Sequence, residues 1–281
     1  MSLCDKIAII GVGLIGGSIG LALRERRLAN EIVGIGRRES SLKVAEQAGA
    51  VTTTTTDLAY GVKDARLIVV CTPVGTIVEH VYTAAKACPA GSIITDAGST
   101  KAEIVAALDG KLDRGIAFIG SHPLAGSEKS GPDAADAELF VDRVVITTPT
   151  EKTTSAHLNT VDEFWAALGA QVRHMTPQEH DQCVAAVSHF PHVVASALAA
   201  VTPDNFLPFA ATGWKDTTRI ASGDVQLWQQ ILSQNPDHVL KSLDKFEEWL
   251  ARFRSALAKG DSSQLTKLLE AGKQSRGTVG N

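Results

Sequence analysis

The sequence predicts an α/β first domain on a parallel sheet, followed by an all-α second domain, and three observations lead there. Short β-branched runs alternate with amphipathic stretches from the start; a glycine-rich turn joins the first such pair; from Thr176 the apolar spacing is helical almost to the end. At 281 residues two domains are expected, residues 1–175 and 176–281, each long enough to bury a core without disulfide or metal staples.

Residues 6–10, 31–35, 67–71, 92–95, 116–119 and 143–147 read as short buried strands. Residues 14–27, 41–48, 74–87 and 101–108 between them are amphipathic, which implies right-handed crossovers and parallel pairing. Residues 151–168 read as one more helix and 171–174 as an edge strand. The threonine run Thr52 to Thr56 reads as a solvated turn or sheet edge. Thr176-Pro177-Gln178-Glu179 is a capping box with proline at the first helical position. Beyond it, helices are expected over 180–201, 226–233, 236–258 and 262–271, with a break at Pro203 and Pro208 and fraying from Lys273. There is no internal repeat, and the helices are too extended in pattern for a solitary bundle.

Twenty-seven basic and 31 acidic side chains leave a net charge of −4 with no strongly basic block, so neither nucleic acid nor an anionic membrane is an expected partner. Cys4, Cys71, Cys88 and Cys183 lack CxxC or metal-ligand spacing, which predicts reduced thiols in a cytoplasmic setting and no metal. The first six residues carry no signal-peptide pattern, and no apolar stretch was expected to reach the roughly 18 residues of a membrane span.

Gly11-Val12-Gly13-Leu14-Ile15-Gly16 follows the first strand and opens the first helix. In that setting Gly11 serves the tight turn, Gly13 the close approach of a pyrophosphate and Gly16 helix-on-strand packing, while the N–H groups from Leu14 and Ile15 onward face the phosphates. This is the fingerprint of a Rossmann-type dinucleotide-binding domain. The second strand ends in Gly36-Arg37-Arg38 with no acidic residue for a ribose 2′-hydroxyl, so the cofactor is NADP or NAD with a lean to NADP. Thr72 and Pro73, at the end of another strand, lie on the sheet edge where ligands gather.

Three polar clusters remain. Asp96-Ala97-Gly98-Ser99-Thr100-Lys101 turns a strand into a helix, with Ser99 suited locally to cap it. Gly120-Ser121-His122-Pro123-Leu124-Ala125-Gly126 puts a histidine at a strand's carboxyl end, facing the nicotinamide crevice. Ser188-His189-Phe190-Pro191-His192 sits in a proline-bent helix, with Trp214-Lys215-Asp216-Thr217-Thr218-Arg219 further on.

These motifs, in this order and followed by Leu227-Trp228, resemble the prephenate and arogenate dehydrogenases of tyrosine biosynthesis over nearly the whole chain. The resemblance implies a helical dimerisation domain that intertwines with a second copy in a homodimer. It also implies NAD(P)-dependent oxidative decarboxylation of prephenate to 4-hydroxyphenylpyruvate, or of arogenate to tyrosine. By motif, His122 matches the histidine that takes the ring-hydroxyl proton and Ser99 the serine that orients it. Arg219 matches the arginine on the ring carboxylate, and His192 a histidine on the substrate side. Glu128 and Asp216 match acidic residues that network with that arginine, and Trp228 a tryptophan near the site, where simple packing is an equal account. Tyrosine could inhibit by occupying the same pocket. No residue distinguishes prephenate from arogenate, and no fused mutase or regulatory domain is expected. Two other readings share the architecture: a β-hydroxyacid dehydrogenase, some of which use a helix-borne lysine where this chain has His189 and His192, and a non-catalytic dinucleotide-binding protein.

Overall fold

A computed structural model describes residues 4–126 and 131–279. Cα packing divides the chain into two compact units, Met1–Asn235 and Pro236–Asn281.

The first unit is built on an eight-stranded sheet: β1 (Cys4–Ile10), β2 (Ala29–Ile35), β3 (Thr53–Thr55), β4 (Leu67–Val70), β5 (Ile93–Asp96), β6 (Ala117–Pro123), β7 (Val144–Thr148) and β8 (Gln171–His174). Its order is β3-β2-β1-β4-β5-β6-β7-β8. Pairing is parallel as far as β6. The sheet is not parallel throughout: β7 runs antiparallel to β6, and the described residues of their connection hold one 3₁₀ turn and no crossover helix. Strand alternation builds two cores: Ile7, Ile9, Leu67 and Val69 face one side, Ala8, Ile10, Ile68 and Val70 the other.

Six helices accompany these strands: α1 (Leu14–Glu25), α2 (Glu39–Gln47), α3 (Leu58–Val62), α4 (Val74–Ala87), α5 (Ala102–Leu108) and α6 (Ser155–Ala167). The short α3, capped by the Asp57 side chain, has too few turns to show a period in the sequence. The threonine run is the sheet edge, with β3 paired to β2.

Thr176 and Glu179 form the capping box that starts α7 (Pro177–Val184). A π-helical turn, Ala185–His189, continues it into α8 (Phe190–Val201), with Pro191 directly after the wide turn, whose altered hydrogen bonding accommodates a residue with no N–H. Residues 177–201 are, contrary to expectation, long and apolar enough to cross a membrane by length and composition alone. They also carry the buried His180, Asp181, His189 and His192, and the polar partners of the first three lie within this unit. The unit closes with α9 (Thr212–Thr218), a 3₁₀ turn Arg219–Ser222, and α10 (Val225–Gln234).

In the second unit, α11 (Pro236–Lys259) and α12 (Ser262–Gly277) pack as a hairpin. Gly260, at φ +63, turns the chain, and Asp261 caps α12. The last helix runs to Gly277, with Leu268 buried, beyond the point where fraying was expected.

Candidate active site

The glycines do what their positions require. Gly11 has φ +95, and a Cβ there would meet Cys71 O at 2.8 Å; a Cβ on Gly16 would stand 2.0 Å from Gly11 O. Nothing lies within 4 Å of the Cβ position of Gly13, which leaves the start of α1 open to a phosphate. Arg37, Arg38 and Ser41 line one depression of about 250 Å³ with Gly11, Gly13 and Pro132. Leu14 and Ile15 begin α1 half-buried. Thr72 Oγ1 lies 3.0 Å from His80 Nδ1, and Pro73 precedes α4. These residues fit a dinucleotide along the carboxyl edge of β1, β2 and β4.

The polar groups converge beyond β5 and β6. His122 is held in the sheet itself: β6 continues through it because Ile146 of β7 pairs with it. Its Nδ1 lies 2.9 Å from His180 Nε2, and His180 Nδ1 lies 2.8 Å from Asp181 Oδ1. Asp181 in turn accepts the backbone N–H groups of Lys101 at 2.8 Å and Ala102 at 2.9 Å. Ser99 is therefore not the cap of α5; a carboxylate 80 positions away supplies it, and no local pattern can show that. Lys101 itself is fully buried against Asp96, whose carboxylate also accepts Gly98 N–H and Ser121 N–H. Trp165 Nε1 donates to Ser121 Oγ at 2.9 Å, fastening the strand next to His122.

Burial drives the electrostatics. It pushes His122 well below the ordinary histidine range, with His180, Lys101 and His189 adding like charge. Burial lowers His180 too, against the pull of Asp181. Burial alone would raise the Asp181 carboxyl, but hydrogen bonds from His180 and the two amides hold it below its usual value. His189 is lowered to about 4, again by burial, with Asp181 opposing. A neutral His122 is able to accept a proton near pH 7.

On the helical side, His192 stacks on Trp228 at 3.7 Å and His189 meets the same ring edge-on at 6.2 Å. His189 Nε2 and His192 Nδ1 are buried with no hydrogen-bond partner. Asn235 Nδ2 donates to Asp181 O at 2.7 Å and approaches His189 Nδ1 at 3.2 Å. Ser99 is half-buried, its backbone close enough to act on His189. Gln230 and Gln234 of α10 tie this side to Gly75 N and Thr100 Oγ1, bringing Trp228 over the histidines. His122, Ser99, His192 and Trp228 thus belong to one connected region. Arg219 begins a turn packed on α8 and is exposed, as is Asp216 on α9; Glu128 lies outside the described residues.

Sequence reasoning assigned no role to Asp96, Lys101, His180, Asp181, His189 or Asn235. The available signal was the ionisable pair His180-Asp181 directly after a capping box.

A doubly wound sheet with an open phosphate turn, and a buried neutral histidine on the same carboxyl edge, define an NAD(P)-binding oxidoreductase. Residues 19–174 match the nucleotide-binding domain of prephenate dehydrogenase and residues 176–271 its dimerization domain. The chain belongs to the prephenate dehydrogenase family. It is 35% identical to the prephenate dehydrogenase of Bacillus subtilis over 97% of this chain and 75% of that protein. The Aquifex aeolicus prephenate dehydrogenase, solved with hydroxyphenyl propionate and NAD⁺, is 30% identical, with a TM-score of 0.90 over 98% of both chains. The Synechocystis arogenate dehydrogenase is 29% identical, with a TM-score of 0.80 over 97% of this chain and 99% of that one.

Proposed function

We propose that this enzyme oxidises and decarboxylates prephenate to 4-hydroxyphenylpyruvate, with arogenate to tyrosine as the second reading. The observation that carries the proposal is the buried neutral His122 at the carboxyl end of β6. In the substrate a ring hydroxyl stands opposite a ring carboxylate. As the carbinol C–H leaves with its electron pair, the hydroxyl becomes a carbonyl and gives its proton to His122. The C–CO₂ bond then breaks and its electron pair enters the ring, the carbonyl oxygen becomes a phenolate that takes the proton back from His122, and aromatisation drives the step. The nicotinamide supplies the hydride acceptor.

In this reading Ser99 orients His122 and the ring hydroxyl. Arg219 grips the ring carboxylate through two parallel N–H donors, as a lysine could not. His192 and Trp228 wall the substrate side, and Asp216, with Glu128, steadies Arg219. Arg37 and Arg38, exposed beside the glycine turn, favour NADP through its 2′-phosphate. The division at residue 175 follows the end of β8 at His174. Exposed Leu240, Trp249, Leu250 and Leu257 on α11 support self-association as a homodimer. Free cysteines at positions 4, 71, 88 and 183 suit the cytoplasm. Tyrosine, itself the product of arogenate and close to that of prephenate, is expected to compete at the same pocket.

The helix after β8 carries histidines at 180, 189 and 192 and no lysine, which speaks against a β-hydroxyacid dehydrogenase. The test is reduced-nicotinamide formation with prephenate or arogenate and NAD or NADP, for parent and His122→Asn. The variant should lose at least about a hundredfold in kcat with a smaller change in KM. Equal turnover would remove His122 from the chemistry.

A further inference from the structure

The contacts behind His122 have a fixed direction. An ionised carboxylate only accepts, so the 2.8 Å contact with Asp181 Oδ1 requires the proton on His180 Nδ1. A neutral His180 then offers only a lone pair at Nε2. The 2.9 Å contact with His122 therefore requires the proton on His122 Nδ1, because the other tautomer would set two lone pairs against each other. That leaves His122 Nε2 unprotonated. Asp181 cannot turn away from its task, since its two oxygens are pinned by the N–H groups of Lys101 and Ala102 at the start of α5. Its carbonyl is held as well, by Asn235.

We infer that His180 and Asp181 are positioning residues that hold His122 in its Nδ1–H tautomer and so make Nε2 the atom that receives the substrate's hydroxyl proton. The inference rests on His122 being the base. The arrangement parallels a buried carboxylate fixing a catalytic imidazole, with one more ring interposed. It also accounts for a buried histidine pair, His122 on β6 and His180 on α7, where apolar residues could otherwise pack. His180 touches no reacting atom; it acts through His122.

Two substitutions separate this from a packing role. His180→Phe keeps a flat ring and loses both hydrogen bonds. His180→Gln keeps their direction, its amide N–H donating to Asp181 and its carbonyl oxygen accepting from His122. His180→Phe should lower kcat about a hundredfold, with KM and cofactor Kd nearly unchanged, and His180→Gln should recover most of the loss. Nitrogen NMR of ¹⁵N-histidine-labelled enzyme should show a pyridine-type Nε2 on His122 in the parent and in His180→Gln, and a shift toward the other tautomer in His180→Phe. A pyridine-type Nδ1 on His122 in the parent overturns the inference without any variant. So does parental kcat in His180→Phe beside an inactive His122→Asn. If His122→Asn is itself fully active, the base assignment fails, and the nitrogen spectra still decide whether His180 sets the tautomer.

Discussion

Replacing Lys101 by methionine removes an ammonium from the driest part of the site while keeping nearly the same stem. Lys101 and Asp96 are both 0% exposed, Nζ against Oδ2. After the change Asp96 keeps the Gly98 and Ser121 amides, at 2.9 and 3.0 Å, but no counter-charge. Removing one partner of a buried pair costs about 3–5 kcal/mol, and the two amides place this case near the lower end, about 3 kcal/mol. Urea unfolding followed by circular dichroism at pH 7 measures the loss. Adding Asp96→Asn should return at least half of the loss, because the stranded charge is gone. A Lys101→Met protein within about 1 kcal/mol of the parent would refute the reasoning and mean that the pair contributes little beyond its packing.

Three other outcomes are expected. Arg37→Ala should weaken NADP far more than NAD in binding titrations, and an equal loss for both would mean that Arg37 supports the turn and reads no phosphate. Arg219→Gln should raise KM for the dienoic substrate and leave cofactor Kd alone, with an unchanged KM placing the carboxylate elsewhere. Acid should destabilise the fold. His122, His180 and His189 are lowered in the native state, so below the unfolded histidine value of about 6.5 the unfolded chain binds more protons, and stability present above that pH drains away as pH falls. His189, lowered to about 4, accounts for on the order of 3 kcal/mol of this by itself, and a flat melting temperature from pH 7 to pH 5 would contradict it.

What could be read from the residues alone divides along a physical line. The glycine turn, the capping box at Thr176 and the buried strands are local: each follows from side chains a few positions apart, and each stands where its pattern placed it. Pairing that skips along the chain left no such trace. The reversal of β7 lies in its antiparallel pairing with β6, Gly120 opposite Thr148. The cap of α5 comes from Asp181, and His122 gains its partner from a helix 58 positions on. The same holds within the site. A histidine at a strand end is visible as a candidate, whereas the groups that decide its protonation are not, because they share space rather than sequence. His180 and Asp181 read as an ordinary first turn of a polar helix.

The π-helical turn at Ala185–His189 has a geometric consequence. In an unbroken α-helix each residue advances about 100°, so His180 and His189, nine positions apart, would project about 180° from each other. Absorbing one extra residue in a wide turn removes about 100° of that and swings the two imidazoles to within about 80°. Deleting a single amino acid here would restore plain α-helical winding over eight positions, about 80° again, so the alignment of His180 with His189 should survive that deletion and be lost when a residue is inserted.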